Sequence, residues 1–504
     1  MLLPSLLLFP LLAAVILGTW PGLARQCAGK LAITLSIVPV ILVALIGFQQ
    51  VDPLSLPWMP EAGINLKFEV DGISWLFLLL TSLVTLFSLA VSAKLNIGDK
   101  AYCALILVME SMLFGVFTAR HFIPWFLCWE MTLIPAYLLV RLWGGKNSHR
   151  AALRFFIVTL AGGVCMLLGF LALQLTVGTM DFGQLANMAA HRELAPALAK
   201  GFGGHANGQT LLLIVAVAVF LGLAVKIPIV PLHAWLPDTY AEAPTPVTML
   251  LTGLLSKLGV YGLLRVFLPI FPEIYPVLAP WLAALAVATV LLGAVAALAQ
   301  KDLKRILAYS SVNHLGYCAL AVAAIATSQT DRAAVSSAIS GTILQAFNHG
   351  IVACALFFSI AILESRSGGA RGIHDFGGLR SRMPVFCGLT GIALFASLGL
   401  PGLSGFIGEF LIYNGVFGLN PWSAAVSALG LLLTAVFLLR ALRMVFTGPL
   451  PDRFAKWTDL TPGERWLFVP IIALIVIPGI WPQLLLQFSN SDTLRLLEIL
   501  RPIP

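Results

Sequence analysis

Two lysines lie in the middle of apolar stretches of helix length: Lys226 in LLLIVAVAVFLGLAVKIPIVPLHAWLP and Lys257 in TPVTMLLTGLLSKLGVYGLLRVFL. An ammonium held in hydrocarbon costs about 2.5–3.5 kcal/mol even on insertion scales, so a chain that keeps two of them uses them. Other ionisable residues at comparable depth are Glu110, Glu130, His314, His349 and Glu409. Glu130, in WFLCWEMTLIPAYLL, has no basic residue within two helical turns, so its counter-charge must come from another helix, with Lys226 the natural candidate. A lone histidine on an apolar helix is usually a packing residue. Two on successive helices, beside buried lysines and carboxylates, read better as proton relay groups, because imidazole exchanges protons nearest neutral pH. Metal binding by the histidine pair is the weaker reading, since no third ligand stands at useful spacing. Glu110 fits a structural carboxylate as well as a functional one. The chemistry these residues offer is proton movement at membrane depth.

The elements that must hold them are membrane helices. With 59% hydrophobic and 10% charged residues and a mean hydropathy of +0.96, the chain cannot cover a soluble globule with polar surface. Apolar runs of membrane-crossing length recur throughout. They predict an all-α integral membrane protein of fourteen spans, over 2–20, 30–49, 72–92, 101–119, 121–141, 151–177, 210–240, 244–268, 275–299, 303–326, 334–363, 384–418, 421–447 and 465–488. The first run lacks a basic flank and a small-residue cleavage site and reads as an uncleaved helix. Seven scattered cysteines, none closely paired, read as packing residues.

The net charge of +8 reflects where the basic residues fall rather than a nucleic-acid surface. Twenty of the thirty lysines and arginines occupy one alternate set of loops. Eight, including Arg120, Arg265 and Arg501, occupy the other, and the remaining two are the buried lysines. The positive-inside rule places the crowded loops in the cytoplasm and both termini outside, at what reads as a bacterial inner membrane.

Two spans should be interrupted. Pro228, Pro231 and Pro237 follow Lys226 and remove backbone donors from the seventh. Pro401, with Gly399, Gly402, Gly405 and Gly408, precedes Glu409 in the twelfth, although glycines at such spacing also suit close helix packing. Unwound backbone inside a bilayer survives only where protein buries it or water lines it, and broken helices in matching places of two halves point to a transport site between inverted repeats. Glu130 to Lys226 is 96 residues and His314 to Glu409 is 95, the offset expected if spans 4–8 and 9–13 are such repeats. The organisation read from this is 1–100 for three leading helices, 101–270 and 271–450 for the two repeats, and 451–504 for the last helix. The loop over 179–209 is long for its position and suits a short amphipathic helix or a neighbour contact.

WEMTLIPAYLLV, AVKIPIVPLHAWLPDTYAEAPTPVTMLLTGLLSKLGVYGLLR, AYSSVNHLGYCAL and LPGLSGFIGEFLIYNG resemble the antiporter-like membrane subunits of respiratory complex I over nearly the whole chain. Glu409, where the L and N types generally carry lysine, makes the resemblance closest to the M type. What the resemblance implies is a proton-translocating NADH–quinone oxidoreductase subunit. In it Glu130 modulates the proton affinity of Lys226, and Lys257, His314 and His349 pass the proton to Glu409 near the exit. It further implies no redox cofactor in this chain, with NADH, FMN, iron–sulfur clusters and quinone in partner subunits, and L-type and N-type neighbours in the bilayer. The alternatives are the D subunit of a multisubunit Mrp-type cation/proton antiporter, a membrane subunit of a related hydrogenase or ferredoxin-dependent complex, and a scaffold that moves no protons. The resemblance gives no account of Asn313 and Asn348.

Overall fold

The computed structural model describes residues 1–49, 51–328 and 330–500. Arg501, counted above in the sparser set of loops, lies outside them. Thirteen helices among the described residues are long and apolar enough to cross a membrane. They are α1 (Leu2–Thr19), α2 (Arg25–Phe48), α3 (Gly72–Lys94), α4 (Lys100–Thr118), α5 (Phe122–Trp143), α6 (Ser148–Val177), α7 (Gly208–Lys226), α9 (Thr245–Ile270), α10 (Pro272–Ala299), α11 (Leu303–Thr327), α12 (Arg332–Ser367), α15 (Pro421–Phe446) and α16 (Pro462–Ile480). The remaining predicted span, the twelfth, is interrupted: α13 (Pro384–Ser397) and α14 (Ser404–Leu419) are each too short to cross alone. The helical starts follow local chemistry, since Asp71, Asp99, Asp302 and Asp331 each accept a backbone N–H from the first turn of the helix they precede.

Both predicted interruptions are present. After α7 the chain leaves helical geometry at Ile227 and re-enters it only at α8 (Leu236–Glu242). The freed backbone is satisfied locally: Trp235 Nε1 donates to Val225 O at 3.0 Å, and Val230 N donates to Thr289 Oγ1 at 3.0 Å. Between α13 and α14, Gly399 and Gly402 take φ of 79° and 91°, a backbone conformation that favours glycine. Gly408 also serves close packing, because a Cβ there would meet the backbone and side chain of Gln345 on α12.

Three features differ from the sequence reading. The predicted span at 465–488 is two helices, α16 and α17 (Gln483–Ile499), because Trp481 and Pro482 end the apolar run and a polar helix follows. A two-stranded antiparallel hairpin, β1 (Leu54–Met59) and β2 (Ile64–Phe68), connects α2 to α3, a minor strand element in an otherwise helical chain. The third is inside α9, where Leu251–Leu255 and Leu263–Phe267 are π-helical and widen the helix on either side of Lys257. The 179–209 loop contains two short helices, Phe182–Ala190 and Leu194–Gly201.

Burial sorts the helices. The apolar stretches of α9 and α12 are wholly enclosed and that of α11 nearly so, whereas α1, α2, α15 and α16 leave most of theirs uncovered. The enclosed trio carries Lys257, His314 and His349, and it forms the central packing layer.

Candidate proton-conducting axis

Glu130 and Lys226 face each other across the first half without touching. Each lies within electrostatic reach of the other. Yet no ion pair within 4.0 Å joins them, and both carboxylate oxygens and the ammonium are buried without a hydrogen-bond partner among the described residues. Glu130 lies against α6 at Gly163, where a Cβ would overlap its Oε1. Lys226 ends α7, with its Nζ 5.5 Å from the Trp129 ring centre and 6.0 Å from that of Phe155. Aromatic faces are weak partners for an ammonium beside a carboxylate left open, so the pair has an unfilled electrostatic demand.

From Lys257 onward the side chains touch. Lys257 Nζ donates to Thr252 O at 2.7 Å, on the carbonyl face of the first π-helical turn, and lies 2.6 Å from His349 Nδ1. The His349 and His314 rings are 5.3 Å apart, centre to centre. His314 Nδ1 is 2.9 Å from Glu409 Oε1, and its Nε2 is 3.2 Å from Ser397 Oγ. Gln345 Nε2 donates to the same Glu409 oxygen at 3.3 Å. Glu409 sits on the far side of the α13–α14 break, over Gly399, whose missing side chain leaves it room. All of these groups are buried.

Thus four of the seven ionisable residues singled out from sequence, Lys257, His349, His314 and Glu409, form one buried row, and Glu130 and Lys226 form a separate open pair at the end of α7. Gln345, Ser397 and Thr252 were not anticipated. Gln345 had a signal, a polar residue one turn before His349 on an apolar helix, and Ser397 adjoins the expected break. Glu110 is enclosed, with neither oxygen partnered among the described residues.

The two asparagines have structural explanations. Asn313 Nδ2 donates to Val290 O at 2.8 Å and its Oδ1 accepts from Thr434 at 3.0 Å, tying α11 to α10 and α15. Asn348 Nδ2 donates to Ser404 O at 2.6 Å, fixing the first turn of α14 after the break.

A second charged cluster, unseen in the sequence, closes the face that carries the termini. Asp71 pairs with Arg120 at 2.6 Å and with Arg265, and Asp492 on α17 accepts from Gly72 N at 2.7 Å. Burial pushes the Asp71 carboxyl up, but Arg265 and Arg120 outweigh it and hold it far below the usual carboxylate range. Asp492 goes the other way: burial first, then the charge of Asp71, raise it.

Fold and site together define a class, the polytopic α-helical membrane proteins with an ionisable axis at membrane depth and broken helices beside it. The chain belongs to the NADH:quinone oxidoreductase/Mrp antiporter membrane family, whose model matches residues 119–435. It is 33% identical to NADH-quinone oxidoreductase subunit M of Rhodobacter capsulatus, over 99% of this chain and 96% of that protein. It is 32% identical to NAD(P)H-quinone oxidoreductase chain 4 2 of Microcystis aeruginosa, over 97% and 92%. Its structure matches a chain of respiratory complex I from Thermus thermophilus with bound NADH at a TM-score of 0.85 and 27% identity, over the whole of both chains. A chain of the Mrp complex from Dietzia sp. shares the fold, with a TM-score of 0.82 at 21% identity over 99% of each.

Proposed function

We propose that this chain is the M-type membrane subunit of a complex I, translocating protons in step with electron transfer from NADH to quinone in partner subunits. Relatives a third identical over nearly their full length bear that name, which favours this reading over an Mrp-type antiporter. The observation that carries the mechanism is the buried row Lys257, His349, His314, Glu409, hydrogen-bonded at both ends with the two imidazole rings 5.3 Å apart between, flanked by the open pair Glu130 and Lys226.

Lys226 is the switch. Burial favours its neutral form, whereas approach of Glu130 favours the ammonium, so closing the pair loads a proton and opening it releases one. The released proton enters the row at Lys257, crosses by the two imidazoles, each of which takes a proton on one nitrogen as it gives one from the other, and reaches Glu409. Ser397 and Gln345 orient His314 and Glu409. The two halves, 101–270 and 271–450, act as inverted repeats, with 1–100 and 451–504 flanking them. The cofactors NADH, FMN, iron–sulfur clusters and quinone reside in other subunits, and L-type and N-type subunits adjoin this one in a bacterial inner membrane. Both termini lie on the outer side.

The test is Lys226→Ala in the assembled complex. Proton pumping into sealed vesicles, followed with a ΔpH-sensitive dye during NADH oxidation, should collapse while the complex still assembles. Wild-type pumping by that variant would refute the reading.

A further inference from the structure

The face bearing most of the basic loops opens into a cavity of about 580 Å³, bounded by the ends of α5, α8, α11 and α12. Its wall holds a compact ionic group: Lys304 Nζ lies 3.1 Å from Glu364 Oε1, Arg371 Nε lies 3.9 Å from the same oxygen, and Thr245 Oγ1 donates to the other oxygen. Lys304 also donates to Ala243 O at 3.0 Å, just after α8 ends. Two carboxylates line the cavity: Glu242 accepts from Asn147 N, whereas Glu364 is 20% exposed and stands on the helix that also carries His349.

Glu364 and His349 are on one helix, fifteen residues and about 22 Å apart along its axis. A second cavity, of about 10 Å³, lies between them against His349, lined also by Ser310, Ser311 and Ser397. That is about the volume one water needs, and the lining supplies the polar partners such a water requires. Ser311 and His349 both line this small cavity, so a water in it meets the relay directly, and Ser311 Oγ is held 3.1 Å from Thr252 Oγ1. Leu307, Leu356 and Phe357 also line it, and Leu307 and Phe357 stand one turn from the helix positions of Lys304 and Ala361 in the large cavity. A short apolar collar of this kind gates by dewetting. Phe357 packs edge-on to Tyr240 of α8, the half-helix beyond the Lys226 break, and the Tyr240 hydroxyl is buried without a partner among the described residues.

We infer that this column is a proton entrance from the basic-loop face directly to His349 and Lys257, with Glu364 as first acceptor and Leu307, Leu356 and Phe357 as its gate. It rests on the proton-translocating reading above and adds a point of entry other than Lys226. Glu364 takes a proton from cavity water and lets go of Lys304. The proton passes inward through water, past the Ser311 hydroxyl, to His349 and from there to Lys257, and Glu364 returns to carboxylate and re-forms the ion pair. Contact with Tyr240 ties the state of the gate to the broken helix that ends in Lys226.

Three variants of the intact complex in sealed vesicles test this. Glu364→Gln should lower pumping several-fold. Ala361→Cys, treated with a membrane-impermeant cationic methanethiosulfonate from the basic-loop face, should be labelled and lose pumping, while the unsubstituted chain treated alike should keep it. Leu307→Ser should make resting vesicles leak protons. An introduced thiol that stays unlabelled, or is labelled without loss of pumping, overturns the inference, as does wild-type pumping by Glu364→Gln. Full pumping by these variants beside collapse in Lys226→Ala rejects the entrance alone; full pumping in Lys226→Ala as well rejects the underlying function.

Discussion

Gly163→Ala is a one-atom test of the open pair. Gly163 lies in α6 where Glu130 rests, and an added Cβ would overlap Glu130 Oε1 far inside van der Waals contact. Forcing an extra carbon into a packed interior costs about 1–3 kcal/mol. Replacing a helix-interior glycine returns roughly 0.5–1 kcal/mol. That helix gain is the same wherever Glu130 sits, so the full cost of about 1–3 kcal/mol falls on the resting position of the carboxylate and corresponds to about a 5- to 150-fold shift in how often Glu130 occupies it. Because that position decides whether the pair is open, pumping per complex should fall by a factor in the same range, measured as initial acidification rate at saturating NADH. Gly391→Ala is the control: it is also a glycine inside a buried-facing helix, and a Cβ there meets nothing within 4 Å. Glu130→Asp added to Gly163→Ala shortens the carboxylate and should recover part of the lost rate. Equal pumping by Gly163→Ala and Gly391→Ala would refute the placement of Glu130, and so would the absence of rescue by aspartate.

Two further outcomes follow from the same structure. Asn348→Ala removes the Nδ2 donor to the Ser404 carbonyl at the start of α14, a net loss of about 0.5–1.5 kcal/mol, and hydrogen exchange should speed up over 398–408 while α12 itself stays protected; unchanged exchange there would deny the asparagine its anchoring role. Asp492 has a raised carboxyl in the folded state, so its contribution to docking α17 is present at low pH and lost as pH climbs past the ordinary aspartate range near about 4. Asp492→Asn keeps an acceptor for Gly72 N and Ile73 N without the charge. Protection of 483–499 should therefore become flat between about pH 4 and 7 and rise at neutral pH, whereas a looser α17 at pH 7 would contradict the sign. Asp71 behaves oppositely. Held low by Arg265 and Arg120, its contribution persists through that window and fails only in strong acid.

Membrane spans were legible in the sequence because hydrocarbon imposes a length and a composition that few other environments do. The interruptions at 227–235 and 398–403 were legible too, since proline and positive-φ glycine act within a few residues of themselves. The short list of buried ionisable residues followed from the cost of keeping each one. What the sequence could not fix is who touches whom. That Lys257 reaches His349 depends on the packing of α9 against α12 and on the width that π-helical turns give α9, and that Lys226 stands apart from Glu130 depends on how α5, α6 and α7 pack. Asp71, Arg120, Arg265 and Asp492 are spread over more than four hundred residues, and each looks like an ordinary interfacial charge until α17 folds back on α3. Burial cost is a local property and can be read from one segment at a time. Pairing across helices depends on distances that only the assembled bundle sets.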